Sequence, residues 1–443
     1  MEQETRVHGA PAPDQAASQD LPASEARVTR PAGRPSRGGL LRILEVWEHP
    51  LWSGLLALVV YGLITVAFGS FNRVSPFPYY TWLADAFLHG RLDLVRPAQV
   101  HDLSLFNGHY YLYWGPFPAL LLMPFVAALG RGLSDMNFTT ALGAVDVALV
   151  ALLLRQSDRR QVAPTSALQR SLLVLFFAFG TVMMTLAPFG RVWFTGELVG
   201  FTGIALAYLA ALTFRGPAAF FLTGLALACA MLTRNHLVLA GLWPAYHLLV
   251  THWTPLWRRL PSLAVVGVLP LVIALGALGV YDWLRFGNPL DNGLAYHNMD
   301  ARFRDDFRRY GAFSLHYVPA NLFYQYVAYP FPKSDVSYEG GSLFLLSPVF
   351  LAAFWGLAAG RPRRSAYILL ATVALVAIPI LLLMGTGWVQ IGPRYTLDFM
   401  VPLLLLTAMG VRRWPGWALA ATTALSIIQY LAGLIYLGSA FKF

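Results

Sequence analysis

Two carboxylates in one aromatic stretch of the chain are the first residues that suggest proton transfer. Asp85 follows Tyr80 and Trp82, and Asp93 comes soon after it. A carboxylate beside apolar rings at an interface can acquire a raised pKa, which suits a general base. The alternative is that both acids are solvated or pair with the arginines that follow them. We rank Asp85 first for acid–base work and keep Asp93 as a further candidate.

Two other acids stand next to or inside apolar runs. Glu197 follows the short turn Gly190–Gly196 and begins an apolar run, so it is the second candidate for acid–base work. An acid at that place also favours a helix N-terminus, which is the alternative. Asp146 lies inside an apolar run, where an ionisable group suggests a function, unless it only binds a neighbouring helix through a hydrogen bond.

Three arginines occur at the edges of apolar runs, namely Arg234, Arg285 and Arg394. The guanidinium group presents paired donors that match phosphate oxygens, so these arginines are candidates for holding a phosphorylated lipid headgroup. The alternative is that they reach ordinary lipid phosphates or pair with Asp282 or Asp398. The residue types leave both interpretations open.

Metal-binding residues do not form a recognisable pattern. His101 and His109 lack a third ligand at a spacing typical of zinc sites, and Cys229 is the single cysteine. No metal site and no cofactor are therefore predicted. Scattered carboxylates leave a divalent metal possible in principle without indicating one.

Composition places these residues in a membrane protein. Of the 443 residues, 57% are hydrophobic and 12% are charged, and the mean hydropathy is +0.55. A soluble domain has about a quarter of its residues charged, so we predict an all-α, polytopic integral membrane protein. The net charge of +10 comes from basic residues in short loops between apolar runs. That pattern sets orientation in a membrane and does not indicate nucleic-acid binding.

About eleven apolar segments have the length of a membrane-spanning helix, about 17–25 residues. One run, 218–250, is long enough for two short spans that turn at Arg234. The runs lie near 50–70, 137–154, 171–189, 197–214, 218–250, 262–283, 343–359, 366–386, 396–411 and 416–438.

The run 116–130 decides the topology. If it lies on the membrane surface, the basic residues of every short loop fall on the cytoplasmic side, as the positive-inside rule requires. We therefore predict that 71–135 is a loop wholly outside, with two interfacial helices at Tyr79–His89 and Pro116–Gly130. A later region, 285–340, is also predicted outside.

The two ends of the chain follow from the same topology. Residues 1–49 are rich in Ala, Pro, Ser, Gly and Arg, and they are predicted to be a disordered cytoplasmic tail without a signal peptide. Residues 50–443 form the membrane domain. The C-terminus is then predicted to lie outside.

Seven short motifs occur in order over about 50 to 411. They are Tyr79-Tyr80-Thr81-Trp82-Leu83-Ala84-Asp85, Leu88-His89-Gly90-Arg91-Leu92-Asp93-Leu94, Asn107-Gly108-His109-Tyr110-Tyr111, Gly115-Pro116-Phe117-Pro118-Ala119-Leu120, Leu232-Thr233-Arg234, Trp283-Leu284-Arg285-Phe286-Gly287 and Gly392-Pro393-Arg394-Tyr395. In these motifs the chain resembles the GT-C class of membrane glycosyltransferases, and in particular bacterial proteins similar to protein O-mannosyltransferases and lipid A aminoarabinose transferase.

The resemblance implies a transferase of a bacterial inner membrane that uses a polyprenyl-phosphate-linked sugar. Outer-edge arginines would meet the donor phosphate, Arg394 first, with Arg234 and Arg285 supporting. An acid of the first loop would deprotonate the hydroxyl of a glycan, lipid or protein acceptor, and the sugar would transfer with inversion. Three aromatic residues are candidates for stacking on sugar or isoprenoid: Tyr110, Tyr111 and Trp114.

One departure from the family pattern keeps other functions open. The family commonly has an Asp-Glu pair about four residues before the Tyr that opens the first surface helix, and this chain has Ser75-Pro76-Phe77 there. One alternative is therefore a non-catalytic GT-C-fold protein that binds a lipid-linked glycan. A transporter or flippase is the other alternative, favoured by Asp146.

Overall fold

The computed structural model describes residues 46–331, 339–360, 362–385, 387 and 390–440. The predicted tail, 1–49, lies outside these residues except at its end. In the described part the chain is helical, with two pairs of short strands. This confirms the predicted all-α class.

The described residues form seventeen α-helices, which are numbered in chain order. They are α1 Pro50–Ala67, α2 Tyr79–Leu88, α3 Phe117–Leu129, α4 Asp135–Arg159, α5 Ala167–Phe179, α6 Met183–Leu186, α7 Val192–Thr213, α8 Gly216–Met231, α9 Leu242–Leu256, α10 Leu260–Phe286, α11 Ala301–Tyr310, α12 Val318–Leu322, α13 Leu343–Leu346, α14 Ala352–Ala359, α15 Arg363–Leu382, α16 Met400–Val411 and α17 Gly416–Ala440. The strands are β1 Ser104–Phe106, β2 His109–Tyr111, β3 Glu339–Gly340 and β4 Gln390–Ile391.

Eight helical segments in the described residues are long and apolar enough to span a membrane. They correspond to eight of the predicted spans, and the chain is a polytopic membrane protein. The predicted pair within 218–250 appears as α8 and α9, and the run 343–359 is broken into α13, a 3-10 turn and α14. These pieces are short, so the count of eleven is not confirmed.

The loop between α1 and α4 contains both helices predicted for it, as α2 and α3, with a β-hairpin between them. The hairpin turns at Asn107-Gly108, whose φ angles are 49° and 83°. Two positive φ angles suit a two-residue hairpin turn, and Asn-Gly is the favoured pair for it. We call the end of the bundle that carries this loop the loop end.

Backbone contacts fix the loop to the ends of the spanning helices. The Val192 N–H at the start of α7 donates to the Phe77 carbonyl at 3.1 Å, and the Phe117 N–H donates to the Leu232 carbonyl at 3.1 Å. Gly115 approaches α8 so closely that an added Cβ would lie 2.0 Å from the Leu232 carbonyl oxygen. The loop is therefore seated on the ends of α7 and α8.

A second segment, residues 293–299, crosses the hairpin, and we call it the strap. His297 forms a bridge with Ser104 of β1, and the Asn298 N–H donates to the Leu103 carbonyl at 2.8 Å. The Ser104 hydroxyl donates to the Gly293 carbonyl at 2.7 Å. The strap thus ties the region after α10 to the first loop.

The opposite end of the bundle is closed by ion pairs. Arg170 on α5 contacts Glu48 at 2.6 Å and Asp158 of α4 at 3.0 Å. Between the two ends, buried aromatic rings fill the core, as in the stacked pair Phe177–Phe201 with centroids 5.1 Å apart. These contacts make a packed frame that holds the loop end in place.

Candidate active site

A carboxylate and an arginine meet at the loop end. Glu197 lies in the first turns of α7, and Arg394 opens the 3-10 turn that leads into α16. The Arg394 Nε and Glu197 Oε1 atoms are 3.5 Å apart, and their side chains are 8% and 3% exposed. Gly387 leaves room for this guanidinium group, because an added Cβ there would lie 2.6 Å from Arg394 Nε.

A second arginine joins this pair through an aromatic ring. The guanidinium carbons of Arg394 and Arg234 lie 5.0 Å and 5.1 Å from the centroid of the Tyr395 ring. Arg234 also donates to Asp398 Oδ1 at 2.5 Å, and His236 Nε2 lies 2.9 Å from the other oxygen of Asp398. Ring faces favour cations, so Tyr395 helps to hold two positive charges close together.

Arg191 is the third arginine of the group. Its guanidinium carbon lies 5.9 Å from the Phe194 ring, and that of Arg394 lies 5.7 Å from the same ring. Burial, followed by the charge of Arg394, lowers the pKa of Arg191 to about 10, while Asp135 acts in the opposite direction. Arg191 therefore stays charged at neutral pH. We call Arg191, Arg234 and Arg394 the arginine cluster.

Tyr80 of α2 brings the first loop to this cluster. Burial raises the pKa of its hydroxyl above the usual value, and the charges of Arg234 and Glu197 act on it in opposite directions. Gly196 lies against Tyr80, because an added Cβ there would be 2.9 Å from the tyrosine hydroxyl. The loop helix and the start of α7 thus share one small polar space.

Asp102 is a carboxylate of the loop that is not among the acids predicted from the sequence. Its Oδ2 accepts from Trp193 Nε1 at 3.0 Å, and its Oδ1 lies 2.8 Å from His297 Nε2 of the strap. Its charge also acts on Arg394. No local pattern marks Asp102, because its partners come from α7 and from the strap.

The other predicted acids lie elsewhere in the loop. Asp85 contacts His89 at 3.5 Å and Arg91 at 3.8 Å, and Asp93 contacts His109 at 2.9 Å. These are pairings with neighbours in the loop, of the kind that the sequence left open. Among the three predicted acids, the structure brings Glu197 together with Arg394.

Arg285 is placed apart from the cluster. It donates to the Leu112 carbonyl at 2.6 Å and to Asp282 at 2.5 Å, and its side chain is 1% exposed. Its guanidinium carbon also lies 3.8 Å from the Tyr281 ring centroid. These contacts use Arg285 to fasten α10 to the loop.

Two of the three predicted stacking residues contact rings of neighbouring residues. Tyr111 lies 5.3 Å from the Phe286 ring, and Trp114 lies 4.2 Å from the Tyr113 ring. The Tyr110 carbonyl accepts from the Leu94 N–H at 2.8 Å. All three aromatic side chains are half-buried.

Asp146 lies within α4, far from any loop. It is fully buried, and its Oδ1 accepts from Thr202 at 2.6 Å. Among the described residues its Oδ2 has no hydrogen-bond partner. Within the same residues, no group of three or more His, Cys, Asp or Glu side chains is arranged to hold a metal ion.

Sequence comparisons find no counterpart for the chain, since no family model and no curated protein matches it. Solved structures do match. ArnT from Cupriavidus metallidurans in the apo state is similar with a TM-score of 0.50 and 16% identity, over 84% of this chain and 61% of that chain. The same protein bound to undecaprenyl phosphate gives a TM-score of 0.47 and 17% identity, over 83% of this chain and 61% of that chain.

An oligosaccharyltransferase from Archaeoglobus fulgidus in the apo form is also similar, with a TM-score of 0.43 and 14% identity. That match covers 87% of this chain and 55% of the other. The chain thus spans about three fifths of the length of the ArnT structures, 61% of that chain. The likeness to apo ArnT shows that the chain has the GT-C fold, as the motifs indicated.

Proposed function

We propose that this protein is a glycosyltransferase that moves a sugar from a polyprenyl-phosphate donor to a hydroxyl acceptor. The observation that carries the proposal is the state of Arg394. Its guanidinium group is buried beside Glu197, yet among the described residues its Nε has no hydrogen-bond partner. Buried donors are nearly always satisfied, so this arginine is suited to receive an anion.

The place of the arginine cluster suggests which anion. Arg394 begins one apolar helical segment, Arg394–Val411, and Arg191 directly precedes another, Val192–Thr213. A ligand whose charge is at the membrane edge and whose chain is apolar fits this position better than a soluble phosphate. The GT-C fold, shared with ArnT, supports a polyprenyl phosphate, since one ArnT structure holds undecaprenyl phosphate.

In the proposed site Arg394 is the main contact of the donor phosphate. Arg234, which contacts the same Tyr395 ring as Arg394, adds a second positive charge near the phosphate. Arg285 acts indirectly by holding the loop. Tyr110, Tyr111 and Trp114 border the space for the sugar or the isoprenoid. Transfer to a hydroxyl breaks the bond between the anomeric carbon and the phosphate oxygen, and the arginines stabilise the extra charge on the leaving phosphate.

The proposal includes a location and an orientation. The resemblance to bacterial GT-C proteins supports a location in a bacterial inner membrane. The distribution of basic residues supports a cytoplasmic N-terminus, with the loop end and the C-terminus outside. Acceptors would then be glycans, lipids or proteins on the outer side. Hexosyl and pentosyl donors are both compatible with the residues named.

The test measures binding of undecaprenyl phosphate to the full chain in nanodiscs, and release of undecaprenyl phosphate from a panel of its hexosyl and pentosyl esters. We expect the parent to bind and to consume at least one donor. Arg394→Ala should weaken binding about 10- to 150-fold, because a hydrogen bond to a charged group contributes about 1.5–3 kcal/mol.

The matched control is Arg363→Ala, since Arg363 is an exposed arginine on a different helix, α15, outside the proposed site. It should behave like the parent. Parent protein that binds undecaprenyl phosphate no better than it binds phosphatidylglycerol, with Arg394→Ala unchanged, would overturn the proposal.

A further inference from the structure

The acids near the arginine cluster differ in the solvent exposure of their side chains. Asp398 is 0% exposed and has both oxygens occupied by Arg234 and His236. Glu197 is 3% exposed and lies against Arg394. Asp102 is 17% exposed, the largest value among the carboxylates that the structure describes around the cluster. An acid that meets an acceptor from outside must be reachable, and this favours Asp102.

Asp135 is the other acid to consider, because it occupies the place of the missing Asp-Glu pair. Its Oδ1 accepts from the Ser75 N–H at 2.7 Å, and its Oδ2 accepts from the Ser75 hydroxyl. The residue is 4% exposed. Both of its oxygens are thus used to hold the loop to α4, and it is closed to a substrate.

Asp102 is held in position by contacts from two elements, α7 and the strap. Trp193, which donates to Oδ2, belongs to the same first turns of α7 that carry Glu197. His297, at Oδ1, belongs to the strap, and the Asp102 N–H donates to the Asn298 carbonyl of the strap at 3.0 Å. Asp102 itself has a φ of 60°. A side chain held by such contacts needs little reorganisation before it reacts.

The same contacts leave the carboxylate able to accept a further hydrogen bond. Oδ2 accepts from Trp193, since an indole nitrogen can only donate. Oδ1 lies 2.8 Å from His297 Nε2 and 3.5 Å from His101 Nε2. Each carboxylate oxygen has two lone pairs, so Asp102 can also accept from the hydroxyl of an acceptor.

Tyr113 connects Asp102 to the arginine cluster. Burial raises the pKa of Tyr113, and the charge of Asp102 raises it further, while Arg394 lowers it. The Tyr113 ring also lies 4.8 Å from the His297 ring. The charges of Asp102 and Arg394 thus both reach the Tyr113 hydroxyl, which is consistent with a base and a phosphate-binding group at the same end of the bundle.

We propose that Asp102 is the general base of this site and that Trp193 and His297 are positioning residues for it. The inference rests on the proposed function. The Asp102 carboxylate takes the proton of the acceptor hydroxyl, and the acceptor oxygen forms a bond to the anomeric carbon. The bond from that carbon to the phosphate oxygen breaks, and its electron pair leaves with the polyprenyl phosphate. The leaving phosphate gains the negative charge that Asp102 loses. Arg394 binds this phosphate and stabilises the added charge.

The test compares Asp102→Asn, Asp102→Glu and the parent in nanodiscs. Turnover is followed as undecaprenyl phosphate released from the donor that the parent consumes, and binding of undecaprenyl phosphate is measured on the same samples. Asp102→Asn should lower turnover by ~10²–10⁴-fold with binding unchanged, because a positioned general base contributes about that much. Asp102→Glu keeps a carboxylate at this position. It should recover part of the turnover, and the turnover should depend on pH as it does in the parent.

The control is Asp158→Asn, the same chemical change in a carboxylate that pairs with Arg170 at the opposite end of α4. It should match the parent. Parent-like turnover of Asp102→Asn would overturn the role of Asp102 and leave the proposed function intact. Joint loss of binding and turnover in Asp102→Asn would assign it a structural role instead. A parent that neither binds nor releases undecaprenyl phosphate would overturn the proposed function and this inference together.

Discussion

At the scale of single residues, the site is a balance between buried cations and buried acids. Glu197 is the acid that touches Arg394, and its Oε2 has no hydrogen-bond partner among the described residues. A carboxylate so placed competes with a phosphate for the same guanidinium group. We infer that Glu197 orients Arg394 in the empty site and yields to the donor phosphate when the donor binds.

This gives a prediction for Glu197→Gln. Removal of the competing charge should tighten binding of undecaprenyl phosphate by up to about tenfold, or about 1.4 kcal/mol. Isothermal titration of the protein in nanodiscs measures it. Glu48→Gln is the matched control, because Glu48 pairs with Arg170 at the opposite end of the bundle. Weaker binding by Glu197→Gln would mean that the carboxylate supports the phosphate site and does not compete with it.

Sequence reasoning reached these residues unevenly. Glu197, Arg234 and Arg394 could be predicted because each stands alone at the edge of an apolar run, where a charge is costly and therefore visible. The importance of Asp102 could not be predicted, because it depends on His297, 195 residues away, and on Trp193. Asp85 is favoured by the sequence because its aromatic neighbours are close along the chain, whereas the structure pairs it with Arg91.

At the scale of elements, the site depends on how the first loop is seated. The helices of the loop could be predicted from their apolar patterns and the hairpin from Asn107-Gly108. The contact of the loop with α8 could not be predicted from the sequence, because it depends on the absence of a side chain at Gly115. An added Cβ there would lie 2.0 Å from a backbone oxygen that cannot swing away, the carbonyl of Leu232.

Gly115→Ala should therefore push the loop away from α8. We expect a loss of about 1–3 kcal/mol in stability, as is typical of overpacking, and weaker binding of undecaprenyl phosphate. Thermal unfolding of the detergent-solubilised protein and the binding assay test the two parts. Gly132→Ala is the control, because nothing lies within 4 Å of a Cβ added there. Equal melting temperatures for the two variants would contradict the close seating of the loop.

The contact between Ser75 and Asp135 also joins the first loop to a spanning helix, α4. The sequence has no acid where the GT-C resemblance leads one to expect an Asp-Glu pair, and this favours a non-catalytic member of the fold. In the structure the carboxylate of Asp135, from the start of α4, binds Ser75 of that segment. A missing residue in a linear motif thus says little until the neighbouring helices are known.

At the scale of the whole molecule, the sequence positions of the apolar segments could be predicted, but not how each run is divided or how many segments span the membrane. The Ser347-Pro348 step breaks the run 343–359 into short helices. Orientation in the membrane comes from the arginines alone. The loop end is predicted outside, and the arginine-rich turns at the other end inside.

The orientation can be tested by cysteine labelling in a Cys229→Ser background. Leu105→Cys lies on the hairpin, where the side chain is 49% exposed, and Arg413→Cys lies in an exposed turn after α16. A membrane-impermeant maleimide should label Leu105→Cys in intact cells and Arg413→Cys only after permeabilisation. The reverse result would place the loop in the cytoplasm and would rule out transfer on the outer side.

Two long-range contacts, one of them made by the strap, affect how the site forms during synthesis and membrane insertion. The contact of Asp102 with His297 joins residues 195 apart, and that of Arg234 with Asp398 joins residues 164 apart. Until His297 has been synthesised, Asp102 lacks this partner. Until Asp398 has been synthesised, Arg234 lacks its own. We expect a nascent chain to gain its affinity for the donor late, when nearly all of its helices have been inserted. Unfinished chains would then leave the lipid-linked sugars of the cell untouched.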